Sequence, residues 1–140
     1  MVHWVREMRV MTTVAEQVKK VPPAVRPTLQ AAIRMVREIA PGAEEIVYAM
    51  EAPKSARMVW KHVRFAIRGK EVVGIGTLPD HVDIWFYRGR ELDDGSVTLK
   101  GSGKDTRFIN LRTPAEAESA QLKKLTRKAF KLARAASKAG

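Results

Sequence analysis

The sequence contains no cysteine, and this absence excludes several kinds of site at once. Without thiols the chain can form neither a disulfide framework nor a thiolate metal cluster, and it has no cysteine nucleophile. The sequence also lacks a long apolar run, because no segment approaches the ~20 residues that a membrane-spanning helix requires. The first residues have no apolar core of the kind found in secretory signals. We therefore expect a cytoplasmic protein that does not associate with membranes.

Acidic residues are scarce relative to basic ones. The 15 Asp and Glu residues are set against 26 Lys and Arg residues, which gives a net charge of +11 and a pI near 10.4. The excess is concentrated, since residues 54–70 contain six basic residues and residues 121–140 contain seven, with no acidic residue in either segment. Segments of this kind attract nucleic acid, anionic lipid or acidic proteins. They are equally typical of a solvated surface that keeps a protein in solution.

The length of the chain, 140 residues, is typical of one domain with one core. Hydrophobic residues make up 45% of the sequence and charged residues 29%, with a mean hydropathy of -0.26, which is typical of a folded globular domain. We predict an N-terminal extension at residues 1–12, a single domain at residues 13–135 and a C-terminal tail at residues 136–140.

Two capping boxes mark helix starts. The first, Thr13-Val14-Ala15-Glu16, predicts a helix to about Lys20, and the second, Thr113-Pro114-Ala115-Glu116, opens the final helix. Between them a helix can open at Pro23 and end before Pro41-Gly42, because apolar residues recur there at helical spacing. The two longer helices have these apolar stripes: Val25, Leu29, Ile33, Val36 and Ala40, then Leu122, Leu125, Ala129, Leu132 and Ala136.

Between Glu45 and Arg112 the apolar period changes to two, which predicts a meander of strands. Arg68-Gly69-Lys70 is expected to form a tight hairpin connection. The sequence therefore predicts an α+β fold with an antiparallel sheet of about five strands packed against helices. The predicted strands are Ile46–Met50, Val63–Arg68, Val72–Leu78, Val82–Tyr87, a weaker Val97–Lys100 and Phe108–Arg112.

Several short motifs occur in a distinctive order. From Arg88 the chain reads Arg-Gly-Arg-Glu-Leu-Asp-Asp-Gly, and from Gly101 it reads Gly-Ser-Gly-Lys-Asp-Thr-Arg-Phe-Ile-Asn-Leu-Arg. This order resembles the YdhG-like family, a bacterial domain of unknown function that typically has Arg-Gly, Glu-Leu, a Gly-Thr-Gly-Lys-like turn, then Arg and Leu-Arg. The Pro22-Pro23 helix start, the turn at residues 40–45 and Tyr48-Ala49-Met50 are also similar to that family. The resemblance spans roughly residues 13–135.

The chain departs from this family at two places. Ala49-Met50-Glu51-Ala52-Pro53 stands where the family usually has Gly-Met-Pro, and residues 54–62 are extra length before the next strand. The resemblance implies an antiparallel sheet flanked by helices. Through at least one member it also implies a frataxin-like role as an iron chaperone.

Gly101-Ser102-Gly103-Lys104 is a glycine-rich turn that differs from a nucleotide-binding P-loop. Thr98 and Asp105 stand where that motif requires Gly and then Ser or Thr. The backbone amides of such a turn, with basic residues nearby, can form an anion-binding nest. The alternative is a strand connection that needs glycine for its backbone angles. The candidate anion-binding residues are Gly101, Ser102, Gly103, Lys104, Arg107 and Arg112.

Carboxylates in two turns are candidate metal ligands. One turn contains Asp80, His81 and Asp83, and the other contains Glu91, Asp93 and Asp94. Hard oxygen ligands suit iron, although carboxylates in turns are more often only polar loop residues. We assign the candidate metal site to Asp93 and Asp94, and the sequence indicates no other cofactor.

No serine lies in a nucleophile elbow and no partnership between a histidine and an acid can be read, so we predict that the protein is not an enzyme. The leading prediction is a binding protein whose basic surface recognises an anionic partner such as nucleic acid, and the alternative is iron handling. On the final helix, Phe130 either stacks on a base or forms the edge of the core face. The candidate nucleic-acid-binding residues are Arg64, Arg68, Lys123, Lys124, Arg127, Lys128 and Lys131.

Overall fold

The computed structural model describes residues 13–139, so the predicted N-terminal extension lies outside the described residues. The helices are α1 (Val14–Lys20), α2 (Arg26–Ile39), α3 (Gly89–Leu92), α4 (Pro114–Ala117) and α5 (Ala120–Ala139). The strands are β1 (Glu44–Val47), β2 (Trp60–Ile67), β3 (Lys70–Thr77), β4 (Val82–Phe86) and β5 (Arg107–Leu111). These strands form one antiparallel sheet in the order β1-β2-β3-β4-β5. The predicted α+β class with a five-stranded antiparallel sheet is confirmed.

The first two helices begin where local hydrogen bonding allows them to. The Oγ1 atom of Thr13 accepts a hydrogen bond from the backbone N–H of Glu16 at 3.1 Å, as expected for a helix cap. Helix α2 begins three residues later than predicted, because residues 22–25 form a turn. Pro27 accounts for this difference: it lacks the N–H that a helix begun at Pro23 would require, and it is tolerated only in a first turn.

The β2–β3 hairpin has the predicted tight connection. Ile67 pairs with Lys70 across a two-residue turn. Arg68 has a φ of 49° and Gly69 a φ of 79°. Positive φ at both central residues is characteristic of the type I′ turn, whose twist matches that of the flanking strands.

The predicted strand at Val97–Lys100 does not form. Residues Val97–Lys100 contribute only one bridge, in which Lys100 and Phe108 exchange two backbone hydrogen bonds of 2.9 Å. The preceding segment folds as turns, where the carboxylate of Asp94 accepts a hydrogen bond from the backbone N–H of Ser96 at 2.9 Å. Aspartate side chains compete in this way with strand pairing. The bounds of the other five strands lie within three residues of the prediction.

One face of the sheet is buried against α2 and α5. Phe65 in β2 and Phe86 in β4 are at most 1% exposed and contribute to the same core as Met35 of α2 and Phe130 of α5. The predicted apolar stripe of α2 is buried along its whole length. This burial of apolar surface is the main source of stability in a domain of this size.

The predicted final helix is divided into α4 and α5. Thr113 caps α4 by accepting a hydrogen bond from the backbone N–H of Glu116 at 3.2 Å, as predicted. Helix α4 then ends, and the Oγ atom of Ser119 accepts a hydrogen bond from the backbone N–H of Leu122 at 3.2 Å. Ser119 is therefore a second cap that begins α5. No helix within residues 13–139 combines the length and the apolar character required to cross a membrane.

Helix α3 was not predicted, and it explains two of the short motifs. Gly89 packs so closely against β5 that a Cβ atom there would lie 2.5 Å from the Cβ of Arg107. Leu92 is 1% exposed, and Arg88 forms an ion pair with Glu91. The Arg-Gly and Glu-Leu motifs therefore have a packing role, which is to hold α3 against β5.

His62 is the most deeply buried titratable side chain of the sheet, with no exposed surface. Its Nε2 atom lies 2.8 Å from Thr77 Oγ1, and its Nδ1 atom lies 3.3 Å from Gln17 Oε1. A neutral ring with its proton on Nδ1 can donate to Gln17 and accept from Thr77. Burial lowers the pKa of His62 from 6.5 to about 4. The neutral ring therefore joins α1 to the sheet.

The buried His62 should make stability depend on pH. The unfolded chain takes up the proton near pH 6.5 and the folded protein only near pH 4, so this contribution is complete above pH 6.5 and is lost as the pH falls. We expect the free energy of unfolding to fall by about 2–3 kcal/mol between pH 7 and 4.5 through this group. Denaturant titrations of the protein and of the His62→Gln variant measure this. A stability difference between them that does not change with pH would contradict the assignment.

Candidate functional site

The core divides the candidate residues between two separate surfaces. Because α5 packs on the buried face of the sheet, its outward-facing side chains point away from the strands. Side chains that alternate with the buried strand residues form the opposite, open face of the sheet. The basic segment at residues 121–140 thus lies on the helical side, and Arg57, Lys61 and Arg64 of the other basic segment lie on or beside the open face.

A groove runs between α2 and α5, and four basic side chains line it. Its volume is about 700 Å³, and Met35 and Ile39 of α2 form its apolar wall. The basic residues that line it, which define the α2–α5 groove, are Lys123, Arg127, Lys131 and Arg134. At ~100° per residue these four positions fall within an arc of about 80° on one helix. Glu38 is the one carboxylate among the lining residues.

The four basic residues of the groove form no ion pair within residues 13–139, whereas several other cations of the domain do. Elsewhere Arg34 pairs with Glu118 at 2.8 Å and Arg37 with Glu45 at 2.8 Å. Within residues 13–139 no carboxylate lies in ion-pair contact with any of the four groove residues. Their charge is therefore available to a ligand.

The other candidate nucleic-acid-binding residues have varied surroundings. Lys124 is exposed beside the groove, and Lys128 forms a 3.7 Å ion pair with Asp94. Arg64 lies on the open face of the sheet, with its guanidinium 4.6 Å from the centre of the Tyr48 ring and its Nε atom 2.9 Å from Glu71 Oε2. Arg68 lies in the β2–β3 turn. The structure thus brings the α5 residues together and does not bring Arg64 or Arg68 to them.

Phe130 is not available for stacking on a base, since it has no exposed surface. The interpretation of Phe130 as part of the core face is confirmed. The guanidinium of Arg134 lies 5.8 Å from the centre of the Phe130 ring. This contact extends the Arg134 side chain along the groove.

The glycine-rich turn is closed by its own neighbours. Gly101 has a φ of 119°, an angle that favours glycine and agrees with the interpretation as a strand connection. Arg107 donates hydrogen bonds from Nη1 to the carbonyl oxygens of Gly103 at 2.6 Å and Thr106 at 2.8 Å. Arg112 is paired with Asp80 at 3.2 Å. Of the three cations assigned to the anion nest, only Lys104 lacks such a partner among residues 13–139, and the nest stays a prediction.

The candidate metal ligands are engaged in hydrogen bonds of the turns. Asp93 and Asp94 accept hydrogen bonds from backbone N–H groups, and contacts with Ser96 lower the pKa of Asp94. His81 lies between two carboxylates, with Nδ1 2.7 Å from Asp80 Oδ1 and Nε2 3.3 Å from Asp83 Oδ1. No group of three or more acidic or histidine side chains in the described part of the chain has an arrangement that could hold a metal ion.

The open face of the sheet contains a site that the sequence patterns did not predict. The register places two rows of side chains across β2 to β5: Arg64, Gly74, Trp85 and Phe108 in one row, and Lys61, Gly76, Asp83 and Asn110 in the other. A cavity of about 600 Å³ lies over these rows, and we call it the sheet-face pocket. Its lining includes Lys61, Asp83, Trp85, Tyr87, Phe108 and Asn110.

Two glycines explain why this pocket exists. A Cβ atom at Gly74 would lie 2.1 Å from the indole ring of Trp85, and one at Gly76 would lie 2.6 Å from the Val59 side chain. At these two positions the central strand therefore contributes no side chain to the open face, and the indole lies directly against its backbone. Both glycines lie within the predicted strand Val72–Leu78, and that prediction did not indicate the space that they leave on the open face. The pairing of Gly74 with Trp85 is the signal that could have located the pocket.

No protein-family model, curated protein or solved structure matches this chain. The resemblance to the YdhG-like family, and the iron-handling role that it implies, stay predictions.

Substitution of Gly74 tests the close contact beneath Trp85. In Gly74→Ala the new methyl group must displace the indole, so we expect a loss of about 1–3 kcal/mol in the free energy of unfolding. Gly42→Ala is the matched control, because a Cβ atom there meets nothing within 4 Å. Denaturant titrations measure both. Equal stabilities of the two variants would show that the contact does not constrain the sheet.

Proposed function

We propose that this protein is a non-enzymatic binding protein that recognises the phosphate backbone of nucleic acid through the α2–α5 groove. The observation that carries the proposal is the set of four basic side chains along one groove with no carboxylate in ion-pair contact among residues 13–139. Clustered cations displace the counterions that condense on nucleic acid, and this release drives binding that does not depend on sequence.

The dimensions of the groove suit a strand of several phosphates. At ~1.5 Å per residue, the distance along the axis of α5 from Lys123 to Arg134 is about 16 Å. A nucleic-acid strand carries one charge per ~3.4 Å, so this length corresponds to about four or five phosphates. Lys124 and Lys128 lie on the adjacent arc of the helix and extend the basic surface toward solvent.

The side chains of the groove favour contact with phosphate rather than with base edges. Lysine and arginine dominate the lining, and Met35 and Ile39 supply the apolar wall. Base-specific recognition requires donors and acceptors that are matched to a base edge. We therefore expect binding that is nearly independent of sequence and strongly dependent on salt.

The test compares two double variants that remove the same amount of charge. Arg127→Gln with Lys131→Gln removes two cations from the groove, and Lys19→Gln with Lys20→Gln removes two exposed cations from α1. For a single-stranded oligonucleotide we expect the groove variant to lose about tenfold to a hundredfold in affinity. Its slope of log affinity against log salt should also decrease by about 1.4. Fluorescence anisotropy at several salt concentrations measures both quantities.

The α1 variant is the control for net charge, and its affinity should change by less than about threefold because exposed charges at a distance are screened. Equal losses in the two variants would assign binding to overall charge and would contradict a groove. The absence of binding at about 50 mM salt would contradict the proposal altogether.

A further inference from the structure

The sheet-face pocket combines aromatic surfaces, a nearly buried carboxylate and exposed cations, and the rings and the carboxylate belong to the sheet or its edges. It lies on the opposite side of the core from the α2–α5 groove and shares no lining residue with it. An inference about its ligand is therefore independent of the proposed function.

The aromatic elements are half-buried rings that line one cavity. Trp85 lies against the backbone of Gly74 on one side and pairs with Phe108 on the neighbouring strand. Tyr87 also lines the cavity, and its hydroxyl lies 3.1 Å from that of Tyr48. Rings held by backbone contact and hydrogen bonds lose little freedom when a flat ligand stacks on them.

Asp83 supplies a hydrogen-bond acceptor within the aromatic cavity. The residue is 7% exposed. Its Oδ1 atom accepts a hydrogen bond from Asn110 Nδ2 at 2.5 Å and lies 3.3 Å from His81 Nε2. Asn110 is oriented in turn by Lys100, whose Nζ atom lies 2.6 Å from Asn110 Oδ1.

The second oxygen of that carboxylate, Oδ2, has no hydrogen-bond partner among residues 13–139. In the described chain this oxygen is not among the buried atoms without a partner, so it keeps contact with the solvent of the cavity. A ligand N–H group that replaces this solvent would form a charge-assisted hydrogen bond with the carboxylate. Burial raises the pKa of Asp83 and outweighs the opposing effect of the hydrogen bonds from Asn110 and His81.

Two cations border the same cavity. Arg57 and Lys61 line it and are exposed, and neither forms an ion pair within residues 13–139. They are positioned for an anionic group at the mouth of the pocket. The ligand that matches all three elements has a flat ring, an N–H donor and a negative charge.

We propose that the sheet-face pocket binds a nucleotide whose base carries an exocyclic amino group, with the base stacked on Trp85 and Phe108. The amino group donates to Asp83 Oδ2, and the phosphate lies near Lys61 and Arg57. Asp and Glu side chains accept hydrogen bonds from the amino group of cytosine in the same way. Uracil has no amino group, and its ring N–H lies between two carbonyl oxygens that the carboxylate repels, so uracil is expected to bind more weakly.

The test titrates the full chain with AMP, CMP, UMP and ribose 5-phosphate. We expect AMP and CMP to shift the indole N–H resonance of Trp85 and to bind at least about tenfold more tightly than UMP. Calorimetry gives the affinities. No shift at millimolar AMP, or equal binding of ribose 5-phosphate and AMP, would overturn the proposal.

Two variants separate the elements of the site. Asp83→Asn should reduce the AMP-to-UMP preference about tenfold, since the asparagine amide can also donate to uracil. Lys61→Gln should weaken the binding of AMP severalfold and leave the binding of adenosine unchanged. This comparison tests the proposed phosphate contact even if Asp83→Asn does not fold. A folded Asp83→Asn variant with an unchanged preference would contradict the role of Asp83.

The Arg127→Gln, Lys131→Gln variant should bind AMP normally, which separates this proposal from the groove.

The same base could come from a free nucleotide or from a single strand. A hexamer of deoxyadenylate is therefore titrated beside AMP with the same groove variant. Hexamer affinity at least tenfold above that of AMP would assign the ligand to a strand, and equal affinity would assign it to a free nucleotide. Either result supports the chemistry of the pocket, whereas failure of both ligands to shift the Trp85 resonance overturns it.

Discussion

Burial of one face of the sheet against α2 and α5 is the interaction on which the rest of the structure depends. Phe65, Phe86 and Phe130 are almost completely removed from solvent there. Because the sheet can bury only one face against these helices, side chains that alternate with the core residues must lie on the other face. The same packing turns the remaining side of α5 toward solvent. Both candidate binding surfaces follow from this one arrangement.

The two surfaces differ in the chemistry that they offer. The α2–α5 groove presents charged side chains that suit a partner with repeated negative charge. The sheet-face pocket presents rings and a carboxylate whose positions are fixed by neighbouring strands. Counterion release governs the first kind of site, while stacking and hydrogen-bond geometry govern the second. A ligand for one surface therefore has no reason to compete with a ligand for the other.

The sequence patterns predicted elements whose determinants are local. The cap at Thr13, the stripe of α2 and the hairpin at Gly69 depend on neighbours within a few residues, and these predictions are confirmed. The prediction of a strand at Val97–Lys100 was wrong because the Asp94 side chain binds the backbone N–H of Ser96, the residue before this segment. The sheet-face pocket depends on the register between β3 and β4, which composition and periodicity do not specify. The separation of Arg64 from α5 likewise required the topology.

We propose above all that the basic side of α5 forms a phosphate-binding surface that is separate from the open face of the sheet. Nuclear magnetic resonance mapping with a short inorganic polyphosphate tests it directly, because this probe has repeated charge and no bases. We expect shifts in the amides of residues 123–134, which weaken with added salt, and little change at the Trp85 indole. The largest shifts at the 101–104 turn or along β2, with α5 unaffected, would contradict it.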